Sequence, residues 1–586
     1  MHTSKTKTKT LRDLRLAICL KVYLLIVILA MGAYQNAHAT ELRELKIANP
    51  ELLDINTEED PLYVVLLAEM ALNRGSYAEA LNYYLKAAYM SKDPKIAEEA
   101  ALLAIALEAP KESIQAATLW ASVAPDNLQA QLVATTLTIG NSLKDAIPFL
   151  KRAIELDPEE VEKNIVDVQI MLSENGAKNL ALGSEQIAKQ RPKDPHAHLI
   201  AALCAATLGE MDKANSWVDS ALKQQPHLTA AIELKARLIY YSSNSDQKAL
   251  DYLAKQLERY TDDAELRFFY ANALLDAQIV DEAQKQFTSL TQNQKFGGPS
   301  HIFLSEIAFD QGNLDVAVEQ LKSALKFEDT RDSASYLLGQ IDEQLGKLDN
   351  AIFWYSTIDT APYQVPGALR AVALLKAKHQ YDDALQLIHE SSPTTFQEQK
   401  ELFIAEIDLM NLNKQSDKAL DLVNELLEKV PNDHDFLVMR ALTAINLNKL
   451  TVAEKDVRLI LNENPNNANA LSLLGYILAQ NDTRLDEALS YLKQALALSP
   501  NNPAFMDSMG WTYCRMGDIK NALTYLEKAH SLTQDSEIAA HFGEVLWMDD
   551  QKNEAMDVWQ NALENNSNDQ EILKTLKRLN IELKAN

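Results

Sequence analysis

The chain has 586 residues, a formal net charge of −27 and 47% hydrophobic residues, too apolar a balance for a disordered polymer. Its 16 glycines are well under half the average share of roughly 7%, which disfavours glycine-lined phosphate loops and many-stranded β architectures that spend glycine at each hairpin. Neither G-x-x-x-x-G-K-[ST] nor G-x-G-x-x-G occurs, and 3 cysteines are too few for a disulfide scaffold.

Residues 1–39 read as a secretory signal. Lys5, Lys7, Lys9, Arg12, Arg15 and Lys21 form a basic leader, offset only by Asp13. An apolar run from Val22 to Met31 follows, and Ala37-His38-Ala39 fits cleavage after Ala39. The run is far short of the ~20 apolar residues that a spanning helix needs. Removing the leader, with its six basic and one acidic side chains, takes the net charge from −27 to −32. Nucleic acid and anionic lipid are poor partners for such a polyanion. The acidity suits a solvated surface, or a groove that recruits basic segments. Cys19 falls in the leader; Cys204 and Cys514 sit in helical patterns far apart and are expected to be buried free thiols. Residues 40–60 form a polar, acidic lead-in.

From residue 61 to 568 small residues recur at a fixed interval. Ala214, Ala249, Ala283, Ala317, Ala351, Ala384, Ala419, Ala453, Ala488, Ala522 and Ala555 follow one another at 33 to 35 residues, and Ala80 and Ala146 continue the series upstream. Within residues 503–536, Met509-Gly510 and Tyr513 mark a first helix and Gly517 a break. Ala522, Leu526 and Ala529 then line one face of a second helix. Alanine fits where two helix axes approach closely. The period and pattern resemble the tetratricopeptide repeat (TPR), which implies an all-α fold: a right-handed superhelical solenoid of about fifteen helix–turn–helix units. Residues 92–126 and 160–192 keep the length but displace the alanine to Ala116 and Ala181, and read as degenerate repeats. Residues 569–586 close the array as a capping helix, with Ile572, Leu573, Leu576, Leu579 and Leu583 on one stripe.

Catalytic patterns are absent or explained by the repeat. There is no H-E-x-x-H and no G-x-S-x-G. S-x-x-K occurs at Ser220…Lys223 and Ser323…Lys326, but both hold the same repeat phase and read as an echo of it. His196 and His198, two residues apart on a helix, point to different faces and make no metal site. No enzyme activity, metal or cofactor is expected.

The first helices of such an array line its inner face. Counting from the small residue of each helix contact, the inward positions are Phe268, Asn272, Glu306, Phe309, Tyr336, Gln340, Asp408, Tyr476, Asp507, Trp511, Glu544 and Trp547. Aromatics interspersed with acids suit an extended or helical peptide. The basic residues that grip a carboxyl terminus in some TPR modules are replaced by Leu199, Leu234, Ile302, Leu369 and similar side chains, so that mode is not expected.

Asp507-Ser508-Met509-Gly510-Trp511 and His541-Phe542-Gly543-Glu544-Val545-Leu546-Trp547 carry a closer resemblance, as does the opening Leu62-Tyr63…Ala68-Glu69…Arg74-Gly75. They resemble a group of large envelope TPR proteins of Gram-negative bacteria. Its best-understood type is the lipoprotein adaptor of a periplasmic carboxyl-terminal processing protease. The resemblance implies a periplasmic, possible outer-membrane-associated adaptor that binds and activates such a serine protease and presents substrates to it. Large envelope TPR arrays also scaffold exopolysaccharide secretion and outer-membrane protein assembly, which is the alternative. A lipoprotein would carry Cys at the cleavage point; Ala39 stands there instead, so no lipobox is found.

Overall fold

The computed structural model describes residues 60–480, 484–565 and 569–581. The leader, the cleavage point at Ala39, nearly all of the lead-in, and Leu583 lie outside the described residues. Two compact units divide the chain, the first ending at Ile341 and the second beginning at Asp342. Among the described residues there are 31 α-helices, joined as successive antiparallel pairs. In the first unit the pairs run from Pro61–Asn73 with Tyr77–Ser91 to Gly297–Asp310 with Leu314–Ala324. In the second they run from Gln364–Ala377 with Tyr381–Glu390 to Ser536–Met548 with Lys552–Asn565, and the helix Gln570–Leu579 follows. The all-α repeat architecture expected from the period is present.

Most first helices start from a short polar side chain, the exceptions including Thr229–Ser243, Gly297–Asp310 and Gln364–Ala377, which follow Leu228, Phe296 and Tyr363. Asp93, Asn127, Asp194, Asp263, Asp433, Asn467, Asn502, Asp535 and Asp569 each cap a helix by accepting backbone N–H bonds from its first turn. Most first helices are then followed by a residue with positive φ, which closes the hairpin turn, whereas Leu128–Ile139 and Pro158–Met171 end at Gly140 and Leu172 with φ of −67 and −75°. Glycine fills that place at Gly75, Gly209, Gly312, Gly346 and Gly517. Glu108, Gln278, His379, Lys414, Asn448 and Asp550 fill it elsewhere, with φ of 50 to 63°. The scarcity of glycine therefore reflects turns that hold the left-handed conformation without it.

The periodic alanines form the seam between paired helices. Ala80, Ala146, Ala214, Ala283, Ala317, Ala351, Ala384, Ala419, Ala453, Ala488, Ala522 and Ala555 are all at 0% exposure. Opposite them the first helix needs a small residue too. A Cβ at Gly510 would lie 2.6 Å from Leu526 Cγ and 3.0 Å from the Ala522 carbonyl, and at Gly475 2.5 Å from Leu492 Cγ.

Three positions depart from the alanine reading. Ala249 is only half-buried and Leu250 takes the seam, because the preceding helix Thr229–Ser243 runs to 15 residues and shifts the register. In residues 92–126 the seam residue is Ser113, 33 residues from both Ala80 and Ala146, with its hydroxyl bonded back to the Ala109 carbonyl at 2.7 Å. Serine is small enough for the contact, so that repeat is regular. In residues 160–192 the seam holds Leu180, and Gly176 and Gly183 supply the space. In the last helix Ile572 and Leu576 are buried, whereas Leu573 is 39% exposed and lies off the packed stripe.

Candidate protein-binding face

The last four first helices of the second unit carry polar and aromatic side chains at matching heights. Counting from the capping residue, the ninth position holds Tyr476, Trp511, Glu544 and Arg578. The preceding position in the first three is Gly475, Gly510 or Gly543, each pressed against its own second helix. That contact fixes the helix rotation, and the ninth residue falls about 100° further round.

Two ion pairs join these helices across the repeat. His541 Nδ1 lies 2.9 and 3.0 Å from the two Asp507 oxygens, and the Trp511 ring stacks on the imidazole with centroids 4.2 Å apart. Arg578 donates to both Glu544 oxygens, one at 2.7 Å. Asp507 and Glu544 are buried, so these carboxylates are spent on contacts between repeats. Their role is to position the face. Burial opposes charging of His541, but Asp507, Glu537 and Glu544 outweigh it and raise the imidazole pKa above its ordinary value.

Beside the pairs stand groups that remain open. Glu537 is exposed at its edge, yet its carboxyl is raised above the ordinary carboxylate range, first by partial burial and then by Asp507, Asp535 and Glu571; His541 acts in the opposite sense. Burial, followed by Glu537 and Asp507, pushes the half-buried Tyr476 phenol up to about 12. The local field is acidic, with aromatic rings set in it. Such a surface can accept cationic or hydrogen-bond-donating groups beside apolar anchors.

The other expected face residues distribute differently. Phe268 stacks on Phe296 at 5.0 Å and meets Phe287 and Phe303 edge-on at 5.7 and 5.8 Å, a packed aromatic cluster between repeats. Asn272 donates to the Phe268 carbonyl at 2.8 Å within its own helix. Glu306 is exposed, with its carboxyl raised by partial burial and then by Asp310. Phe309 is 39% exposed, Tyr336 half-buried and Gln340 open. Asp408 pairs with Lys376 across neighbouring first helices. Trp547 leans on Trp559 of its own hairpin at 6.0 Å, with Lys552 Nζ 5.5 Å above its ring.

Glu537 and Arg578 belong to this face and were not expected there from the sequence, and His541 entered only within the string that carries the family resemblance. The signal was available: Asp507 and His541, like Glu544 and Arg578, are separated by 34 residues, one repeat. Glu162 and His196 repeat the arrangement in the first unit, 34 residues apart and 2.7 Å in contact. Burial of Glu162 pushes its carboxyl up to about 7 despite the imidazole. Applied to charges, the period that located the alanines locates these rungs. His196 is thereby committed to Glu162, while His198 is buried against Trp217.

Cys204 and Cys514 are buried and free, with burial pushing their thiols up to about 12 and about 11. Ser220 and Ser323 donate to the carbonyls of Ser216 and Glu319 on their own helices. Among the described residues no group of three or more His, Cys, Asp or Glu is arranged to hold a metal ion.

A profile of the tetratricopeptide repeat matches residues 185–228, 304–365 and 438–503. The chain is similar to the TPR repeat-containing protein PA4667 of Pseudomonas aeruginosa, 28% identical over 214 residues, 36% of each chain. It is also similar to the TPR repeat-containing protein YpiA of Bacillus subtilis, 22% identical over 180 residues, 30% of this chain and 42% of that one. The chain therefore spans well under half the length of these curated relatives. Among solved structures, a tetratricopeptide repeat protein from Parabacteroides merdae is 21% identical with a TM-score of 0.31, covering 48% of this chain and 97% of that one. A chain of the APC/C hetero-tetramer Cut9–Hcn1 is 13% identical with a TM-score of 0.33, covering 89% and 98%.

Proposed function

We propose that this chain is a tetratricopeptide-repeat protein that serves as a non-catalytic adaptor of the bacterial envelope. Its partner is a periplasmic serine protease of the carboxyl-terminal processing type, which it binds, activates and supplies with substrates. Binding to proteins is the work of TPR scaffolds; the envelope location and the protease are the finer part of the reading. The observation that carries it is the register of Tyr476, Trp511, Glu537 and His541 on successive first helices, held by the buried Asp507–His541 and Glu544–Arg578 pairs. Of these residues, Asp507 and Trp511 fall within the D-S-x-G-W string and His541 and Glu544 within the H-x-G-E-V-L-W string that resemble the adaptor group. Four neighbouring helices with fixed rotations present a partner with a preordered surface, which lowers the entropic cost of binding.

The test is a periplasmic pull-down with the tagged chain followed by a protease assay. A serine protease of this type should be captured, and its turnover should rise when purified chain is added. Capture of a β-barrel exporter or a polysaccharide synthase in its place would favour the secretion-scaffold reading. Hydrolysis of a substrate by the chain alone would refute the non-catalytic assignment.

A further inference from the structure

Among the described residues, the helix Pro61–Asn73 has no hairpin ahead of it, whereas every later first helix has one. In most later hairpins the third residue after the cap is buried beneath the preceding hairpin: Phe505 clusters with Ala495, and Ile538 with Ala529. Both are at most 5% exposed. The tenth residue is buried in several of them, at 0% for Cys204, 2% for Ile477 and 0% for Val545, and half-buried at Leu103, Leu137 and Ala273. In the helix Pro61–Asn73, capped by Asp60, the equivalents are Tyr63 and Met70, 38% and 48% exposed. Leu66, between them on the same side, is 54% exposed. The helix keeps the apolar side chains of an interior repeat at a place where, among the described residues, no repeat precedes it.

We infer that residues 41–55 of the chain itself cover this face and act as its amino-terminal cap. The segment holds Leu42, Leu45, Ile47, Leu52, Leu53 and Ile55 among 15 residues, enough aliphatic surface to fill a one-helix socket. It ends directly beside that socket. The intervening residues 56–60 can extend over about 17 Å, and the helix Pro61–Asn73 is about 20 Å long, so the segment can fold back along it. A tether this short gives an effective concentration of order millimolar, which favours the chain's own segment over a second molecule. The other end of the array shows the same solution, since Gln570–Leu579 buries Ile572 and Leu576 against the final hairpin. Because residues 41–55 lie beyond Ala39, the cap survives removal of the leader.

The full-length chain can be tested by placing p-benzoylphenylalanine at position 66 and irradiating dilute protein. The cap predicts a crosslink within the same molecule to residues 41–55. A crosslink to a second copy, or to other parts of the chain, overturns it. In a parallel measurement, the Leu52→Ser/Leu53→Ser variant should raise amide hydrogen exchange in residues 61–73 at least tenfold while leaving residues 503–515 unchanged. Equal exchange in residues 61–73 of wild type and variant would also overturn it.

Discussion

At the residue scale, a few ionisable pairs lock one repeat to the next. Asp507 and Glu544 are the clearest cases, because each is buried and satisfied by a side chain 34 residues on. A buried carboxylate is costly unless paired, so these pairs fix geometry more than they add stability. The His541–Asp507 rung gives a signed pH dependence. The imidazole pKa is raised in the folded state, so its stabilising contribution is complete below the unfolded value of about 6.5 and is lost as pH rises through the folded value. Imidazole NMR should show His541 titrating above about 6.5, and Asp507→Asn should lower that midpoint. The stability difference between wild type and Asp507→Asn should shrink as pH is raised from 6 toward 9; a difference independent of pH would show that the pair is not ionised as described.

At the scale of the element, a hairpin depends on two kinds of site with opposite responses to substitution. Gly510 sits in a close helix contact, and Gly510→Ala should cost about 1–3 kcal/mol in urea unfolding, because Leu526 and the Ala522 carbonyl must both give way. Lys414 sits at an exposed turn with φ of 59°, and Lys414→Gly should be neutral or stabilising by up to about 1 kcal/mol through relief of the left-handed strain. Most of this was legible in the sequence, since the alanine seam is small, regular and read by spacing alone. Ser113 escaped because the search was for alanine, whereas the contact selects on size. Ala249 misled because the preceding helix, 15 residues long, displaces the seam to Leu250. His541 escaped as a face residue for a different reason. A single histidine carries no pattern until it is compared with the residue one repeat away.

At the scale of the whole molecule, the opening numbers acquire a cause. Each unit is built from contacts between neighbouring hairpins, so length measures the number of repeats, and the few glycines are confined largely to hairpin turns and helix contacts. No described helix is long and apolar enough to cross a membrane. What could not be read from the sequence is which face residues are consumed by packing. Phe268 joins an aromatic cluster and Asp507 a buried ion pair, while Tyr476 and Glu537 remain available. The distinction depends on side chains one repeat away, which no single window contains. The central claim, that the terminal first helices hold the partner, is tested most directly by titrating the captured protease with wild-type chain and with two charge-reversed forms. Glu537→Lys changes the proposed face, and Asp557→Lys changes an exposed position on a second helix. Wild type and Asp557→Lys should raise protease turnover with the same half-saturation, and Glu537→Lys should raise that half-saturation at least tenfold. Equal half-saturation for all three would contradict the account.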